Sequence, residues 1–211
     1  MTEKQKETLR FYTTNDYLLM NGLLWKEDRN ILIEKIKIIN EDGRGVMKEA
    51  LEQGFDKRWE CSLEEGKRIY EMFEKRFPTI DCDATIEQII DRAKEDIKIL
   101  SSCLKPLEED LVLYRNIKTK YISDYKNGDV IDYLGFSSCS LNFHEAENTM
   151  YGSSGCTAII VEAPKGTPAI RLDQLGDIAN EPDEVILPPL KFKIKKNADG
   201  VMNLVVIGVK W

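Results

Sequence analysis

The sequence predicts an α+β fold, with helices and strands segregated along the chain. Apolar residues recur at helical spacing through the first half, as far as Lys105-Pro106. Beyond Pro106 the chain changes to short β-rich runs, separated by loops rich in Gly, Ser, Asn and Pro. Helices followed by strands favour an α+β class over alternating βαβ units. We therefore expect a helical lobe over residues 1–105 and a β-rich core over residues 106–211.

Apolar residues at three- and four-residue spacing predict four helices, around residues 15–24, 31–39, 62–77 and 86–100. Asn15 is a candidate N-cap for the first, and the glycines within residues 41–45 are expected to end the second. Ser62 and Glu65 have the spacing of a capping box, which predicts the start of the third helix. Short apolar runs bounded by turn residues predict strands at residues 111–115, 133–140, 157–162, 169–172, 184–187, 192–195 and 203–211.

Length and composition limit the class of protein. At roughly 150 residues per domain, 211 residues suit one domain or two small ones, and we expect a single domain over 1–211. Hydrophobic residues make up 42% and charged residues 32%, a mixture that excludes a mainly disordered chain. The net charge of −7 argues against nucleic acid as a partner, so a bound phosphate needs a local cation. No apolar run approaches the roughly 18 residues needed to span a bilayer, and we expect no membrane partner.

Cysteine and histidine usage limits the kind of site. The five cysteines are widely spaced and include no C-x-x-C unit, which argues against a disulfide or zinc framework. The single histidine, His144, excludes a multi-histidine metal site, and we expect no metal. The first ten residues are charged and lack the apolar run of a secretory signal. The expected location is the cytoplasm, or outside the cell as an effector exported without a classical signal peptide.

Three polar residues stand in strand-like contexts where an apolar residue would be usual. Arg115 ends the apolar run that begins at Leu111, Ser138 lies within a run of serines, and Glu184 opens an apolar strand. Each alone has a structural explanation, because charged side chains at strand ends are most often solvated and serine runs most often form turns or edge strands. Their order along the chain is more specific than any one of them.

The ordered motifs resemble those of mono-ADP-ribosyltransferases, the bacterial exoenzyme type of toxin catalytic domain and its vertebrate relatives. LYR at 113–115, GFSSCS at 135–140, PKGT at 164–167 and EVILPP at 184–189 are similar to the arginine, serine-x-serine and glutamate segments of that family. YTTNDY at 12–17 and NGLL at 21–24 look like the helix that opens such domains. The resemblance runs from about residue 11 to the end, and it implies helices packed on a mixed or antiparallel β-sandwich core of the ADP-ribosyltransferase type.

The resemblance implies an enzyme that transfers ADP-ribose from NAD to a side chain of a target protein, with arginine as one acceptor class. Glu184 would stabilise an oxocarbenium-like transition state, and Ser138 would hydrogen-bond Glu184. Arg115 would bind the pyrophosphate through its forked guanidinium. NAD is then a substrate, and neither a metal nor a nucleophilic side chain is required.

Further positions are assigned by the same resemblance. Asn116, where many relatives have glycine, would offer its backbone to the nicotinamide amide, and Ser140 would complete the NAD-binding serine motif. Tyr151 or Phe143 would stack on the nicotinamide. Cys139 takes the place of the usual threonine and is interpreted as a buried structural thiol, and His144 is interpreted as structural too.

The acceptor side of the motif departs from the family. Relatives that modify arginine carry a second glutamate two residues before the catalytic one, where this chain has Pro182. Glu181 would serve the acceptor if the loop bulges by one residue, whereas strand alternation should point Asp183 away. Pro182 therefore leaves open an NAD glycohydrolase, which hydrolyses NAD to ADP-ribose and nicotinamide. A third reading is a non-catalytic module that binds NAD or a protein.

Overall fold

The computed structural model describes residues 1–53, 63–80, 82–143, 155–175, 183–198 and 200–210. The helices are α1 (Glu3–Phe11), α2 (Tyr17–Leu24), α3 (Arg29–Gln53), α4 (Leu63–Arg76) and α5 (Asp83–Cys103), with a π-helical turn at Tyr12–Asp16. The strands are β1 (Lys105–Pro106), β2 (Leu111–Lys118), β3 (Val130–Tyr133), β4 (Ser137–Ser140), β5 (Cys156–Ala163), β6 (Pro168–Arg171), β7 (Glu184–Leu187), β8 (Leu190–Ala198) and β9 (Val201–Val209). The α+β class predicted from the sequence is confirmed.

The strands hydrogen-bond in the order β1-β6-β7-β4-β2-β5-β9-β8-β3. Every pairing is antiparallel except that of β5 with β9, so the sheet is mixed. The long strands β5 and β9 alternate buried and half-buried residues, which is the pattern of a strand with one face on a core. β2 and β4 are joined through a single recorded pair, Tyr114 opposite Ser140.

The chain divides into two compact units, residues 1–100 and residues 101–211, and each has a hydrophobic core of its own. The core of the first unit contains Ile36 and Ile39 of α3, Phe73 of α4, and Phe77, which directly follows α4. The core of the second unit is built from the inward residues of the strands, including Leu113, Ile159 and Leu187. None of the described helices is long and apolar enough to cross a bilayer.

The N-terminal helices differ from the prediction. Asn15 does not cap a helix, because its backbone lies inside the π-helical turn that joins α1 to α2. Helix α1 was not predicted, although its start carries a capping box. The Thr2 hydroxyl accepts from the Gln5 backbone N–H at 3.2 Å, and the Gln5 side chain accepts from the Thr2 N–H at 2.9 Å.

The predicted break at residues 41–45 was also wrong, because α3 continues through both glycines to Gln53. Gly43 is buried, and a Cβ built on it would overlap the ring of Phe73 on α4. Gly43 is therefore a contact residue that lets α4 approach α3, and not a helix terminator. The predicted third and fourth helices are confirmed as α4 and α5; Ser62 and the side chain of Glu65 lie outside the described residues.

The predicted strands are confirmed in order, with shifted ends. The single strand expected at 133–140 is two strands, β3 and β4, which lie at different places in the sheet. Leu134–Phe136 separate them. β8 is longer than predicted, because a β-hairpin with β9 extends its pairing to Ala198 opposite Val201.

Candidate functional site

The three predicted motifs lie on three neighbouring strands. Arg115 is on β2, Ser138 and Ser140 are on β4, and Glu184 is the first residue of β7, and these strands are adjacent in the sheet in the order β7-β4-β2. Residues up to 69 positions apart in the sequence, from Arg115 to Glu184, are thus brought to one part of the sheet. The backbone ladder continues past the end of β4, where the Leu141 N–H donates to the Asp183 carbonyl at 2.9 Å.

Glu184 and the serines share one face. Ser140 lies directly opposite Glu184 on one side and opposite Tyr114 on the other. Because paired residues project to the same side of a sheet, the side chains of Tyr114, Ser140 and Glu184 lie on a common face. Ser138, two residues before Ser140, is on that face as well and is exposed, whereas Glu184 is only 6% exposed. The face therefore carries a buried carboxylate beside serine hydroxyls.

The direct partner of Glu184 across the strands is Ser140, while Ser138 pairs with Ile186 and lies diagonal to the carboxylate. The Ser140 hydroxyl accepts a hydrogen bond from the Asn142 backbone N–H at 2.9 Å. That bond uses an oxygen lone pair and leaves the hydroxyl hydrogen available to donate. Ser140 is thus fixed by the turn after β4 with its donor opposite the carboxylate.

Arg115 projects from the other side of β2. It pairs with Ile159 of β5, a buried residue, and it follows Tyr114, so alternation directs the two side chains to opposite faces. The guanidinium Nη1 donates to the hydroxyl of Ser137, the buried residue that precedes the predicted motif serine. It also lies over the ring of Tyr133, at 5.8 Å from the ring centre.

Arg115 and Glu184 therefore leave their strands on opposite faces, which the sequence did not indicate. They nevertheless act on one group, the Cys139 thiol in the middle of β4. Burial raises the pKa of this thiol to about 11; Arg115 and a hydrogen bond with Ser137 lower it, and Glu184 raises it. The charges of Arg115 and Glu184 thus have opposite effects on the pKa of this thiol.

The other predicted residues are distributed as follows. Asn116 is half-buried on β2 and lies opposite Ala158. Phe143 is 42% exposed, and its ring meets the ring of Tyr114 edge to face, at 5.6 Å between centroids. Phe143 is therefore next to the face that carries Ser140 and Glu184. Tyr151, Glu181, Pro182 and His144 lie outside the described residues.

Three residues near the motifs were not singled out from the sequence as site residues: Tyr114, Tyr133 and Ser137. The signal for Ser137 was present in the run of serines, but choosing between its faces requires the register of β2 on β4. In the described ranges no cluster of His, Cys, Asp and Glu is arranged to hold a metal ion.

Comparison with known proteins identifies the fold. No protein-family model and no curated protein sequence matches the chain. Among solved structures, the chain is similar to the ADP-ribosyltransferase Vis in complex with agmatine, with a TM-score of 0.54 and 14% identity over 100% of this chain and 76% of that one. A second structure of the Vis toxin, from Vibrio splendidus, gives the same TM-score of 0.54.

Two further solved domains match along their whole length. The ATR domain of Salmonella SpvB has a TM-score of 0.52 and 18% identity, and covers 98% of this chain and 100% of its own. The catalytic domain of VsdC from Aeromonas hydrophila has a TM-score of 0.50 and 13% identity, and covers 97% of this chain and 100% of its own. The chain therefore has the fold of the bacterial mono-ADP-ribosyltransferase toxins, as its ordered arginine, serine and glutamate motifs predicted.

Proposed function

We propose that the protein is a mono-ADP-ribosyltransferase that moves ADP-ribose from NAD to a side chain of a target protein. The observation that carries the proposal is the buried carboxylate of Glu184 opposite Ser140, whose strand β4 lies between the strands of Glu184 and Arg115. The fold match supports it, since the similar structures are those of ADP-ribosyltransferases. A buried carboxylate that opens a strand, with hydroxyls on its face, is a candidate for a functional group.

The reaction needs the charge that Glu184 supplies. Cleavage of the nicotinamide–ribose bond releases neutral nicotinamide from a cationic ring and leaves positive charge on the ribose, as in glycoside hydrolysis. A fixed carboxylate beside the anomeric carbon stabilises that charge, and one such preorganised group is worth on the order of 3 kcal/mol. Glu184 also accepts a hydrogen bond from a ribose hydroxyl. Ser140 and Ser138 hold the carboxylate in place from β4.

Arg115 binds the pyrophosphate. A planar guanidinium donates two parallel hydrogen bonds to phosphate oxygens, and it supplies the local cation that a chain of net charge −7 needs to bind a dinucleotide. The pyrophosphate is several bonds away from the anomeric carbon. The proposal requires one extended NAD molecule to reach both Arg115 and Glu184, which leave their strands on opposite faces.

The nicotinamide is held by the residues around Tyr114. Phe143, packed edge to face on Tyr114, presents an exposed aromatic surface beside the Glu184 face and stacks on the nicotinamide ring. The backbone of Asn116 bonds the carboxamide. Tyr151 is the second aromatic residue assigned to this part of the site by the family resemblance.

The acceptor is proposed to be a guanidinium group, with Glu181 as the residue that binds it. The similar structure of Vis contains agmatine, a small molecule that ends in a guanidinium. A carboxylate beside the acceptor favours its attack on the ribose by holding the nitrogen in place. An arginine side chain of a protein presents the same chemical group.

Substitution of Glu184 tests the proposal. Glu184→Gln keeps the size of the side chain and removes its charge, so nicotinamide release should fall about 100- to 1000-fold. The affinity for NAD, measured by calorimetry, should change little, because the charge acts mainly in the transition state. Glu162→Gln on β5 is the matched control, because its carboxylate pairs with Lys195 on the surface. Turnover by the Glu184→Gln variant at the parent rate would contradict the proposal.

An NAD glycohydrolase is the second candidate, favoured by Pro182 in place of the expected acceptor glutamate. The two activities are separated with NAD labelled in its adenylate part. Label on agmatine or on protein from a cell extract supports the transferase, and mapping of the modified residue by mass spectrometry identifies the acceptor. Release of free ADP-ribose at a rate independent of added agmatine and extract supports the hydrolase.

A further inference from the structure

Arg115 is contacted by two side chains that were given no role from the sequence. Its Nη1 atom donates to the hydroxyl of Ser137, and Ser137 is 5% exposed. Its guanidinium lies over the half-buried ring of Tyr133, at the end of β3, with 5.8 Å from its carbon to the ring centroid. The first contact anchors one nitrogen of the guanidinium, and the second places an aromatic ring beside the guanidinium carbon.

These contacts matter because a free arginine side chain has many rotamers. Immobilising such a side chain on binding costs conformational entropy, which weakens the binding of the ligand. A guanidinium has five N–H donors, and the contact with Ser137 uses the donors of one nitrogen at most. A guanidinium that is already oriented before the ligand arrives meets the requirement for a bidentate grip on phosphate.

The two faces of β4 carry serines next to different charged residues. Ser138 and Ser140 are on the face of Glu184, whereas Ser137 is on the face of Arg115. A strand of four residues thus supports the carboxylate from one side and the guanidinium from the other.

We propose that Ser137 and Tyr133 are positioning residues that orient Arg115 for the pyrophosphate of NAD. The proposal rests on the proposed function, because it requires that Arg115 bind NAD. Neither residue contacts the reacting atoms. Loss of either should therefore weaken NAD binding and leave the rate of the bound complex nearly unchanged.

Four substitutions test it through the KM for NAD and kcat of nicotinamide release. Ser137→Ala, and Ser137→Cys as a variant of closer size, should raise KM about tenfold, which is the expected loss for one hydrogen bond to a charged group. Ser137→Thr keeps the hydroxyl and should restore the parent KM. Tyr133→Leu should raise KM about threefold, as expected for a cation–π contact. In every variant kcat should stay within about twofold of the parent.

Two controls and a double variant complete the test. Ser123→Ala and Tyr121→Leu change an exposed serine and an exposed tyrosine, the latter with a cation–π contact to Lys120, and should leave KM unchanged. In an Arg115→Ala background, Ser137→Ala should have no further effect, because the side chain it positions is gone. Thermal unfolding of each variant shows whether the fold is kept.

The outcomes distinguish the two proposals. A parent protein that neither binds NAD nor releases nicotinamide overturns the proposed function and this inference with it. A parent that is active while folded Ser137→Ala and Ser137→Cys variants keep its KM overturns the inference alone. An undiminished effect of Ser137→Ala in the Arg115→Ala background overturns it too, since Ser137 would then act without Arg115.

Discussion

The pKa of Cys139 is affected by charged residues on both sides of β4. It lies between the motif serines, is 3% exposed, and belongs to the core of the second unit. Its pKa of about 11 arises first from burial, which disfavours the thiolate, and Arg115 on one side and Glu184 on the other act in opposite directions. The interpretation of Cys139 as a buried structural thiol agrees with this position.

The raised pKa of Cys139 predicts low reactivity. At pH 8 a thiol with a pKa near 11 is about one part in a thousand thiolate, which is roughly a hundredfold less than an ordinary cysteine. Alkylation of the native protein with iodoacetamide, followed site by site by mass spectrometry, should label exposed Cys82 at least 100-fold faster than Cys139. Labelling of Cys139 at the rate of Cys82 would contradict the burial that raises its pKa.

The same shift has a consequence for stability. The folded protein keeps the Cys139 proton up to about pH 11, whereas the pKa of an ordinary cysteine thiol is 9.0. Its contribution to the free energy of unfolding is thus fully present below pH 9 and is lost as the pH rises toward 11. Cys139→Ala should show a smaller decrease of stability over this interval in urea unfolding.

At the residue level the sequence predicts which side chains come together but not how they are oriented. Arg115, Ser138 and Glu184 were selected by order and residue type, and the structure places them on adjacent strands. The opposite faces of Arg115 and Glu184 depend on the pairing of Tyr114 with Ser140. A register between strands is not encoded in either strand alone, which is why Ser137 and Tyr133 were missed.

At the level of elements, helix α3 illustrates a glycine used for packing. Gly43 and Gly45 are two residues apart on the same helix, yet only Gly43 is buried against Phe73, while a Cβ on Gly45 meets no atom within 4 Å. Both resembled a helix terminator in the sequence, because glycine is a poor helix former. Which glycine marks a close approach depends on the neighbouring helix, and a single-segment pattern lacks that information.

The two glycines predict opposite effects of substitution by alanine. Gly43→Ala should destabilise the protein by about 1–3 kcal/mol, because the added methyl group overlaps the Phe73 ring in a packed core. Gly45→Ala should stabilise it by up to about 1 kcal/mol through helix propensity. Urea unfolding of both variants measures the difference. Equal effects would show that Gly43 is not in contact with Phe73.

The capping box at Thr2 is a sequence signal for a helix that the apolar pattern did not reveal. T-x-x-Q at Thr2 begins α1, and its two hydrogen bonds satisfy donors that the helix itself cannot. The segment is mostly charged and polar, so it lacks the apolar spacing that predicts a helix, although Leu9 and Phe11 are buried. The division of residues 133–140 into β3 and β4 was also not predicted. The segment is continuously β-rich, and such a sequence does not show that β3 pairs with β8 whereas β4 pairs with β7.

At the level of the whole molecule, the first unit contains a buried ion cluster that joins distant parts of the chain. Arg76 of α4 pairs with Asp16 of the π-helical turn at 2.5 Å and with Asp96 of α5 at 2.7 Å, and Thr8 of α1 donates to Asp96 at 3.2 Å. Burial lowers the pKa of Arg76, but the two carboxylates outweigh it, so the pKa is raised and the group stays charged.

Removal of the cation should therefore cost more than an ordinary surface change. Arg76→Met leaves Asp16 and Asp96 buried without their main counter-ion, and we expect a loss of about 3–5 kcal/mol in the free energy of unfolding. Arg68→Met, at an exposed position of the same helix, should change stability by less than about 0.5 kcal/mol. Hydrogen exchange in α4 and α5 should rise in the first variant. Unchanged exchange and stability would contradict a structural role for the cluster.

The two-faced use of β4 restricts how this segment can change in length. One residue inserted between Phe136 and Ser140 would turn every following side chain of the strand to the other face. The serine hydroxyls after the insertion would then lie on the face of Arg115 and no longer beside the carboxylate of Glu184. A substitution, in contrast, disturbs one face at a time. The length of this segment is thus more strongly constrained than its composition. Homologues with either cysteine or threonine at the position of Cys139 should keep the same number of residues in the segment.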